Sequence, residues 1–348
     1  MIQLKRGDKV AVVSLSRGTL GEDFCAHQLE RGTKRLQDFG LEVVYMENAL
    51  KGIDYLDAHP EKRAADLLAA FADKEIKGIF CAIGGDDTFR LAPYIFNEDA
   101  EKIIRDNPKF FMGYSDTSIN HLMFYKLGLP TFYGLSVLTC FAELDKEMLP
   151  YSKASFENIF TDKPFEFSPS EIWYEERTDF SPSQLDKPRI SHPDKKGYEL
   201  LQGASRFEGH LIGGCLESLY DLIVGERYPE EKEINERYQI FPSKEKFDGA
   251  ILFLETSEER PEPAKLKEML EVLKAKGAFE KLAGILVGKP QNEIFYEEYK
   301  NVYREVIDEG IPIVYNANFG HAYPKMLMQY GAKAAVDVEK QKITIERL

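Results

Sequence analysis

The sequence predicts an α/β protein built on a parallel β-sheet with helices on both faces. Three observations support this fold class: short apolar runs alternate with segments of helical periodicity, glycine-containing turns follow several of the apolar runs, and most connections are short. Alternation of this kind is typical of parallel sheets. Ligands of such sheets bind beyond the carboxyl ends of the strands, so the loops that follow the strands are the first place to look for chemistry.

The first half of the chain contains five predicted strands. Lys9 to Ser16 is a mostly apolar run after a Gly-Asp turn, which is typical of a buried parallel strand. The other strands are expected at 41–46, 76–83, 110–113 and 130–135, and the helices at 23–39, 60–74 and 116–128, with a short helix after residue 88. Because parallel strands share one carboxyl edge, we expect the loops 14–18, 84–88 and 113–116 to meet there.

The middle of the chain, from about residue 149 to 203, loses this periodicity and is rich in proline. We interpret it as a crossover between two domains, with some β-structure at 165–167 and near Trp173. The predicted domains are 1–150, 151–204 (the crossover) and 205–348. Trp173 is the only tryptophan of the chain. Its ring has two open interpretations, stacking on a substrate or anchoring the crossover to the body of the protein.

The second half repeats the pattern of strands and helices. A strand at 207–212 leads through a glycine turn at Gly213–Gly214 into a helix that ends near 224, and 231–248 is charged and expected to be irregular. Further strands are expected at 250–255, 282–287 and 311–315, helices at 263–279 and 293–309, and antiparallel strands at 326–330, 334–338 and 343–345.

Composition narrows the classes of function. A net charge of -14 over 348 residues argues against nucleic acid or an anionic membrane surface as the main partner. No apolar stretch approaches the ~20 residues of a membrane span, and the first residues lack the apolar core of a signal peptide. The four cysteines are scattered without a C-x-x-C pair, which disfavours a zinc site or a disulfide framework. We therefore expect a cytoplasmic protein.

Ser115 is the leading candidate nucleophile. It follows the apolar run Phe110 to Met112 and Gly113, and a helix-like segment opens immediately after it. A serine at a strand-to-helix turn exposes its hydroxyl beside backbone N–H groups that are able to stabilise an oxyanion. The G-x-S-x-G motif is only partly matched because position 117 is threonine. The alternative is an ordinary turn with an N-cap serine.

The loop Gly84-Gly85-Asp86-Asp87-Thr88 is the second candidate. Two glycines allow the backbone to approach a ligand closely and to turn its amides inward, where they would complete an oxyanion hole. The same loop type occurs in some small-molecule kinases, but the chain has no Walker A lysine and no G-x-G-x-x-G after the first strand. A tight turn without chemistry is the third interpretation.

Two further residues complete a possible triad. Glu255 ends a buried strand, where a carboxylate needs a partner, and His321 follows a glycine beyond another strand. Together with Ser115 they would supply a nucleophile, a base and an orienting carboxylate. His210 is the main rival as the base and Glu217 as the carboxylate, and sequence spacing alone does not choose between them.

Four blocks of the sequence resemble the LD-carboxypeptidase family of serine peptidases. These blocks are Gly84 to Leu91, Gly113 to Asp116, Leu252 to Glu259, and Phe319 to His321 followed by Pro324. They extend over nearly the whole chain in the expected order. The Leu-Glu-Thr-Ser-Glu-Glu run is most similar to the microcin self-immunity branch of the family.

The resemblance implies a Ser-Glu-His triad at Ser115, Glu255 and His321, with oxyanion-hole amides at Asp116 and Gly85. It implies an N-terminal flavodoxin-like domain, a C-terminal α/β domain with a β-barrel-like core, an active site between them, a homodimer, and no metal or cofactor. The residues that it places around the substrate are Gly84, Asp86, Trp173 and Gly214.

The substrates of the family are small. They are murein tetrapeptides, cleaved between an L- and a D-residue, or, in the immunity branch, acyl conjugates of aminoacyl-nucleotide analogues. The chain has Cys215 where the family often has asparagine, which affects the loop beside the substrate. A non-catalytic module that binds a small ligand on the same scaffold is the alternative from another functional class.

Overall fold

The computed structural model describes residues 3–348, which form two large β-sheets, a two-stranded ribbon and eleven α-helices within that range. The strands are β1 Lys9–Val13, β2 Glu42–Tyr45, β3 Ile76–Cys81, β4 Phe110–Gly113, β5 Phe132–Tyr133, β6 Phe165–Phe167, β7 Ile172–Tyr174, β8 Ser191–Pro193, β9 Glu199–Gln202, β10 Arg206–Cys215, β11 Ala250–Glu255, β12 Gly284–Gly288, β13 Ile313–Ala317, β14 Met328–Gln329, β15 Lys333–Asp337 and β16 Lys342–Ile345. The helices are α1 Ala26–Asp38, α2 Ile53–Ala58, α3 Pro60–Ala72, α4 Ala92–Ile95, α5 Glu98–Asp106, α6 Thr117–Lys126, α7 Pro150–Glu157, α8 Leu216–Val224, α9 Pro229–Tyr238, α10 Pro263–Ala275 and α11 Tyr296–Val306.

The first sheet has the strand order β14-β5-β4-β3-β1-β2. Strands β1 to β5 are parallel and follow the order 2-1-3-4-5, which is the flavodoxin-like arrangement. The predicted parallel sheet of the N-terminal half is therefore confirmed. β14 comes from near the end of the chain and pairs antiparallel with β5, so the C-terminal part of the chain completes this sheet.

The second sheet has eight strands in the order β6-β16-β15-β10-β11-β12-β13-β9. Its centre, β10 to β13, is parallel, and antiparallel strands flank it on both sides. The expected strands of the second half are all present, and β15 and β16 are antiparallel as predicted. β10 is longer than expected because it continues through Gly213 and Gly214 and remains paired with β11 as far as Glu255.

The crossover is built into both parts of the protein. Its strands β6 and β9 form the two edges of the second sheet, while β7 and β8 pair with each other. Arg177 and Arg189 both bind the carboxylate of Glu143, at 2.7 and 2.5 Å. Burial alone would raise the pKa of Glu143, but the two guanidinium groups hold it below its usual range. This buried ion cluster attaches the crossover to the first half of the chain.

One expectation about the second half was wrong. The segment 231–248 was expected to be irregular, but α9 extends through Tyr238. Pro229 starts this helix at a position where its missing N–H costs nothing. The helix was missed because two of its inward-facing residues, Glu231 and Asn235, are polar, so the sequence shows no apolar stripe.

Aromatic side chains dominate the core beneath the first sheet. Phe80, Phe110, Phe132, Phe141 and Phe156 are all at most 1% exposed, and their rings pack edge-on or stacked against one another. Burial of each such ring stabilises the fold by about 1.5–3 kcal/mol. Within residues 3–348, no helix has both the length and the apolar character needed to cross a membrane.

Candidate active site

Ser115 lies at the turn between β4 and α6. Its backbone φ of +66° is in the left-handed region, which non-glycine residues seldom adopt and which costs about 1–2 kcal/mol. Residues held in this conformation are concentrated at functional sites. The helix begins at Thr117, two residues later, and the Ser115 side chain is half-buried.

His321 lies within hydrogen-bonding distance of both other candidate triad residues. His321 Nε2 is 3.0 Å from Ser115 Oγ, and His321 Nδ1 donates to Glu255 Oε2 at 2.7 Å. The His321 backbone N–H donates to the same carboxylate oxygen at 3.0 Å, which fixes the loop as well as the ring. Glu255 is 1% exposed and His321 is 6% exposed. The arrangement brings the end of β11 and the loop after β13 to the carboxyl edge of the first sheet.

Two glycines allow these groups to approach so closely. A Cβ atom at Gly84 would lie 2.8 Å from Ser115 Cβ and 3.0 Å from Ser115 Oγ. A Cβ atom at Gly320 would lie 2.5 Å from Glu255 Oε2, and this glycine also has a φ of +90°. Any larger residue at either position would displace a member of the Ser115, His321 and Glu255 group.

Tyr133 connects Glu255 to Ser115 and had no sequence feature that marked it. Its hydroxyl donates to Glu255 Oε1 at 2.5 Å and accepts from the Ser115 backbone N–H at 3.2 Å. Burial, together with the charge of Glu255, raises the pKa of Tyr133 well above its usual range, so the hydroxyl remains a donor. Tyr133 therefore fixes the second oxygen of the carboxylate that orients His321.

Glu258 is a second carboxylate on the same imidazole. Its Oε2 lies 3.0 Å from His321 Nε2, the atom that also faces Ser115, and its side chain is 65% exposed. Burial by itself lowers the pKa of His321, but Glu255 and Glu258 together raise it to about 10. The hydrogen bond to His321 in turn lowers the pKa of Glu258 to about 2. Both carboxylates therefore favour the protonated imidazole, whose Nε2 is unable to accept the proton of Ser115.

Two backbone amides near Ser115 have no acceptor among the described hydrogen bonds. They are those of Asp116 and Gly85, the two residues expected to form an oxyanion hole. The neighbouring amides are occupied, since Thr117 N–H donates to Tyr114 and Asp86 N–H donates to Ser16 Oγ. Free donors beside a nucleophile are able to stabilise a developing negative charge.

The loop 84–88 is held from below by a buried ion pair. The guanidinium of Arg63 is fully buried and donates to both carboxylate oxygens of Asp87, at 2.5 and 2.9 Å. Ser16 Oγ donates to the same carboxylate, and Arg17 N–H donates to Gly84 C=O. The predicted meeting of the loops after β1, β3 and β4 is therefore confirmed.

A cavity of about 1020 Å³ opens above Ser115 and His321. Gly84 and Asp86, two of the residues expected around the substrate, line it together with Gly85. Its other walls include residues that the sequence analysis did not identify. These are Arg17, Phe24, Arg177, Phe180, Arg227 and Tyr323.

Trp173 and Gly214, both expected to contact substrate, are not among the residues that line this cavity. The Trp173 ring stacks on His192, with the ring centres 4.3 Å apart, and Lys289 Nζ lies 5.5 Å from its centre. Of its two interpretations, these contacts correspond to anchoring of the crossover. Gly214 packs against Ser118, where a Cβ atom would lie 2.5 Å from the hydroxyl oxygen.

The two rival residues have other partners. His210 lies in the middle of β10, five residues before Cys215, and its Nε2 bonds Lys246 C=O. Glu217 accepts hydrogen bonds from the backbone N–H and the hydroxyl of Ser257, at 2.7 and 2.8 Å. Neither is bonded to Ser115 or to His321, so the geometry favours His321 and Glu255 at the two positions that the spacing left open.

Comparison with known families gives the context of this geometry. The N-terminal domain model of the LD-carboxypeptidase family matches residues 10–134, and its C-terminal domain model matches residues 208–336. The chain belongs to the LD-carboxypeptidase family. It is accordingly a peptidase of the carboxypeptidase type, as the four sequence blocks indicated.

The relatives include both branches of the family. A crystal structure of an MccF-like protein from Streptococcus pneumoniae in complex with AMP is 49% identical, with a TM-score of 0.95 over 97% of this chain and 98% of that one. A probable murein peptide carboxypeptidase of Bacillus subtilis is 29% identical over 99% of this chain and 93% of its own length. The microcin C7 self-immunity protein of Escherichia coli is 28% identical over 90% of this chain and 87% of its own length.

Cys215 is the last residue of β10 and is paired with Glu255 of β11. Cys215, Glu255 and His321 bring three possible metal-ligand atoms within 4.8 Å of one another, the one such group found within residues 3–348. Both ring nitrogens of His321 are already bonded, and burial raises the pKa of the Cys215 thiol well above its usual range. A protonated thiol is a poor ligand, so the group fits a hydrogen-bond network better than a metal centre.

Proposed function

We propose that Ser115, His321 and Glu255 are the catalytic triad of a serine peptidase that forms an acyl-enzyme. The observation that carries this proposal is the chain of contacts from Ser115 Oγ through His321 Nε2 and Nδ1 to Glu255, at 3.0 and 2.7 Å. A nucleophile in contact with a base that a carboxylate orients is the arrangement needed for acyl transfer.

The proposed reaction proceeds in two halves. His321 Nε2 accepts the Ser115 proton while Oγ attacks the amide carbonyl, and the amides of Asp116 and Gly85 stabilise the oxyanion. His321 then donates that proton to the leaving nitrogen as the C–N bond breaks. Water, deprotonated by His321, hydrolyses the ester on Ser115. Glu255 keeps the Nδ1–H tautomer in place and stabilises the imidazolium throughout.

For the substrate we propose an amide or acyl conjugate of an aminoacyl-nucleotide. The large cavity supports this choice because Phe24 and Phe180 offer two rings, 63% and 45% exposed, for stacking on a base. Arg17 lines the same cavity, has no ion pair among residues 3–348, and is able to bind a phosphate. The pneumococcal relative, 49% identical, binds AMP. Here the nucleotide is the leaving group and occupies the large cavity.

Two substitutions separate the aromatic candidates. If the rings of the cavity wall bind the nucleotide, Phe180→Ala should raise KM for an aminoacyl sulfamoyl adenosine about tenfold. Trp173→Ala, which removes a larger ring outside the cavity wall, should leave that KM within about twofold. A larger increase in KM for Trp173→Ala than for Phe180→Ala would indicate that Trp173 binds the nucleotide instead.

Murein tetrapeptide is the second candidate substrate, favoured by the Bacillus subtilis relative with 29% identity. It has no base to stack, so Phe180→Ala should leave its turnover nearly unchanged. Comparison of kcat/KM for the tetrapeptide and for the sulfamoyl adenosine in the same protein preparation decides between the two substrates.

The mechanism is tested by Ser115→Ala together with a fluorophosphonate probe, which labels only activated serines. We expect the wild type to be labelled and Ser115→Ala to be unlabelled and inactive while it still binds ligand. Ser205→Ala changes a serine that does not line the cavity, is the matched control and should behave as the wild type. Absence of labelling in the folded wild type would favour the non-catalytic binding module instead.

Two expectations of the resemblance remain proposals. We propose a homodimer, to be tested by light scattering of the purified protein, and a boundary between the catalytic halves within the crossover 151–204.

Hydrolysis that continues in the presence of a chelator is expected of the triad and is not expected of a kinase-like site.

A further inference from the structure

A second, smaller cavity adjoins the large one at Ser115. Its volume is about 40 Å³, and its walls come from the loop at Gly85, the turn at Ser115, the residues after β11, and helices α8 and α9. Seven of its thirteen lining residues carry carboxyl groups, whereas Arg227 is the one basic residue among them. This wall is far more acidic than the chain as a whole.

Most of these carboxyl groups have partners. Asp86, Asp221 and Glu259 are paired with Arg227, with Asp221 at 4.0 Å. Asp116 accepts from Thr88 N–H, and Glu258 bonds His321. Glu217 is satisfied by Ser257, as described above. Arg227 therefore offsets only a small part of the negative charge.

Glu231 is the exception. It projects from α9, is 2% exposed, and its carboxyl group has no hydrogen bond or ion pair among residues 3–348. Burial, with the like charges of Asp116 and Asp221, raises its pKa to about 9. A buried carboxyl group without a partner is costly, and at the wall of a cavity it indicates a ligand that supplies the missing donor.

The geometry favours an ammonium group over a divalent metal ion. Within the described part of the chain, no three carboxyl oxygens of this cavity lie within 4.8 Å of one another, so no compact set of metal ligands is present. An ammonium group has several N–H donors that reach acceptors in different directions. The volume of about 40 Å³ accommodates about three groups the size of a water molecule.

We propose that the small acidic cavity is the subsite for the acyl residue of the substrate and binds an ammonium group of that residue. The inference rests on the proposed function, in which Ser115 retains the acyl group and the large cavity holds the leaving group. The small cavity is also lined by Ser115, so it is the space that remains for the acyl residue. The substrate class that follows is an amide of a cationic amino acid, with Glu231 as the residue that selects it.

The ammonium group has two possible sources, the α-amino group and a side-chain amine. Four sulfamoyl adenosines distinguish them: the lysyl, norleucyl, Nα-acetyl-lysyl and Nα-acetyl-norleucyl compounds. Their dissociation constants are measured by calorimetry on Ser115→Ala protein, so that no ligand is hydrolysed. We expect the compound without any ammonium group to bind at least tenfold more weakly than the lysyl compound. The norleucyl compound keeps only the α-ammonium group and the Nα-acetyl-lysyl compound keeps only the side-chain one. Whichever of the two retains affinity identifies the ammonium group that the cavity binds.

Glu231→Gln, introduced into the same Ser115→Ala protein, tests the residue. Glutamine matches the protonated acid in shape, so the variant should fold, but it is unable to become a carboxylate when the cation enters. We expect the preference for ammonium-bearing compounds to fall at least tenfold. Glu233→Gln makes the same substitution on the exposed face of α9 and should leave all four constants within twofold.

The outcomes of this experiment are separate from those of the labelling test. Three results would overturn the proposal of an acidic subsite. They are equal binding of the four compounds, no binding of any of them, and a preference for ammonium-bearing compounds that survives Glu231→Gln. Fluorophosphonate labelling of the wild type is unaffected by those results, so the triad and the subsite fail independently.

Discussion

Glu258→Gln should move the pH dependence of Ser115 reactivity toward lower pH. In the structure Glu258 Oε2 lies 3.0 Å from His321 Nε2 and helps to raise the pKa of His321 to about 10. A protonated Nε2 donates a hydrogen bond and is unable to accept the serine proton. Because Glu258 favours the protonated form, its removal lowers the pKa of His321 and makes the base available at lower pH.

The size of this effect follows from the distance. For unit charges 3.0 Å apart, Coulomb's law gives about 1.4 kcal/mol at the dielectric constant of water, about 80, which equals about one pKa unit. Because Glu258 is 65% exposed, the value obtained with the dielectric constant of water is a lower bound on the shift that Glu258 causes in the His321 pKa. His321 itself is buried, so the true shift should be at least this large.

The rate of fluorophosphonate labelling, measured as a function of pH, is the most direct assay because it needs no natural substrate. The midpoint of the acid limb should fall by at least about one unit in Glu258→Gln, and labelling near pH 7 should become about tenfold faster. Glu262→Gln removes an exposed charge from the same loop region without lining either cavity and should leave the midpoint in place. An unchanged or raised midpoint in Glu258→Gln would refute the reasoning.

Three further substitutions test the support of the site. Tyr133→Phe removes the hydroxyl that donates to Glu255, a bond of about 1.5–3 kcal/mol, and should slow labelling of Ser115 about 10- to 100-fold with the fold intact by circular dichroism; a rate equal to that of the wild type would contradict this role. Gly84→Ala places a Cβ atom 2.8 Å from Ser115 Cβ and should reduce kcat/KM about 100-fold, whereas Gly310→Ala, which like Gly84 has no positive φ and meets no neighbour within 4 Å, should leave kcat/KM within about twofold. Arg63→Met leaves Asp87 buried without its partner and should lower the free energy of unfolding by about 3–5 kcal/mol in urea, and a loss below 1 kcal/mol would show that Ser16 and Arg90 suffice.

Much of the architecture was predictable because its causes are local. The apolar runs before Ser115 and Glu255 and the glycine turns after them indicate strands that end at polar residues. Parallel strands share one carboxyl edge, so the meeting of the loops at 14–18, 84–88 and 113–116 followed from the pattern alone. The helix α9 escaped prediction because its buried positions are polar. The reasons for this polarity lie outside the helix: Glu231 lines the small cavity, and Asn235 accepts a hydrogen bond from Phe241 N–H.

The sequence by itself determined the strand-to-helix turn at Ser115, the glycine loop before it, and a short set of candidate bases and carboxylates. Only the tertiary structure decided among them, because the choice of His321 over His210 depends on which strand ends face each other across 206 residues of chain. The same holds for Tyr133, Glu258 and Glu231, whose roles arise from neighbours that are distant in sequence. Local propensity depends on adjacent residues, whereas pKa values, hydrogen-bond partners and cavities depend on the distances that folding sets.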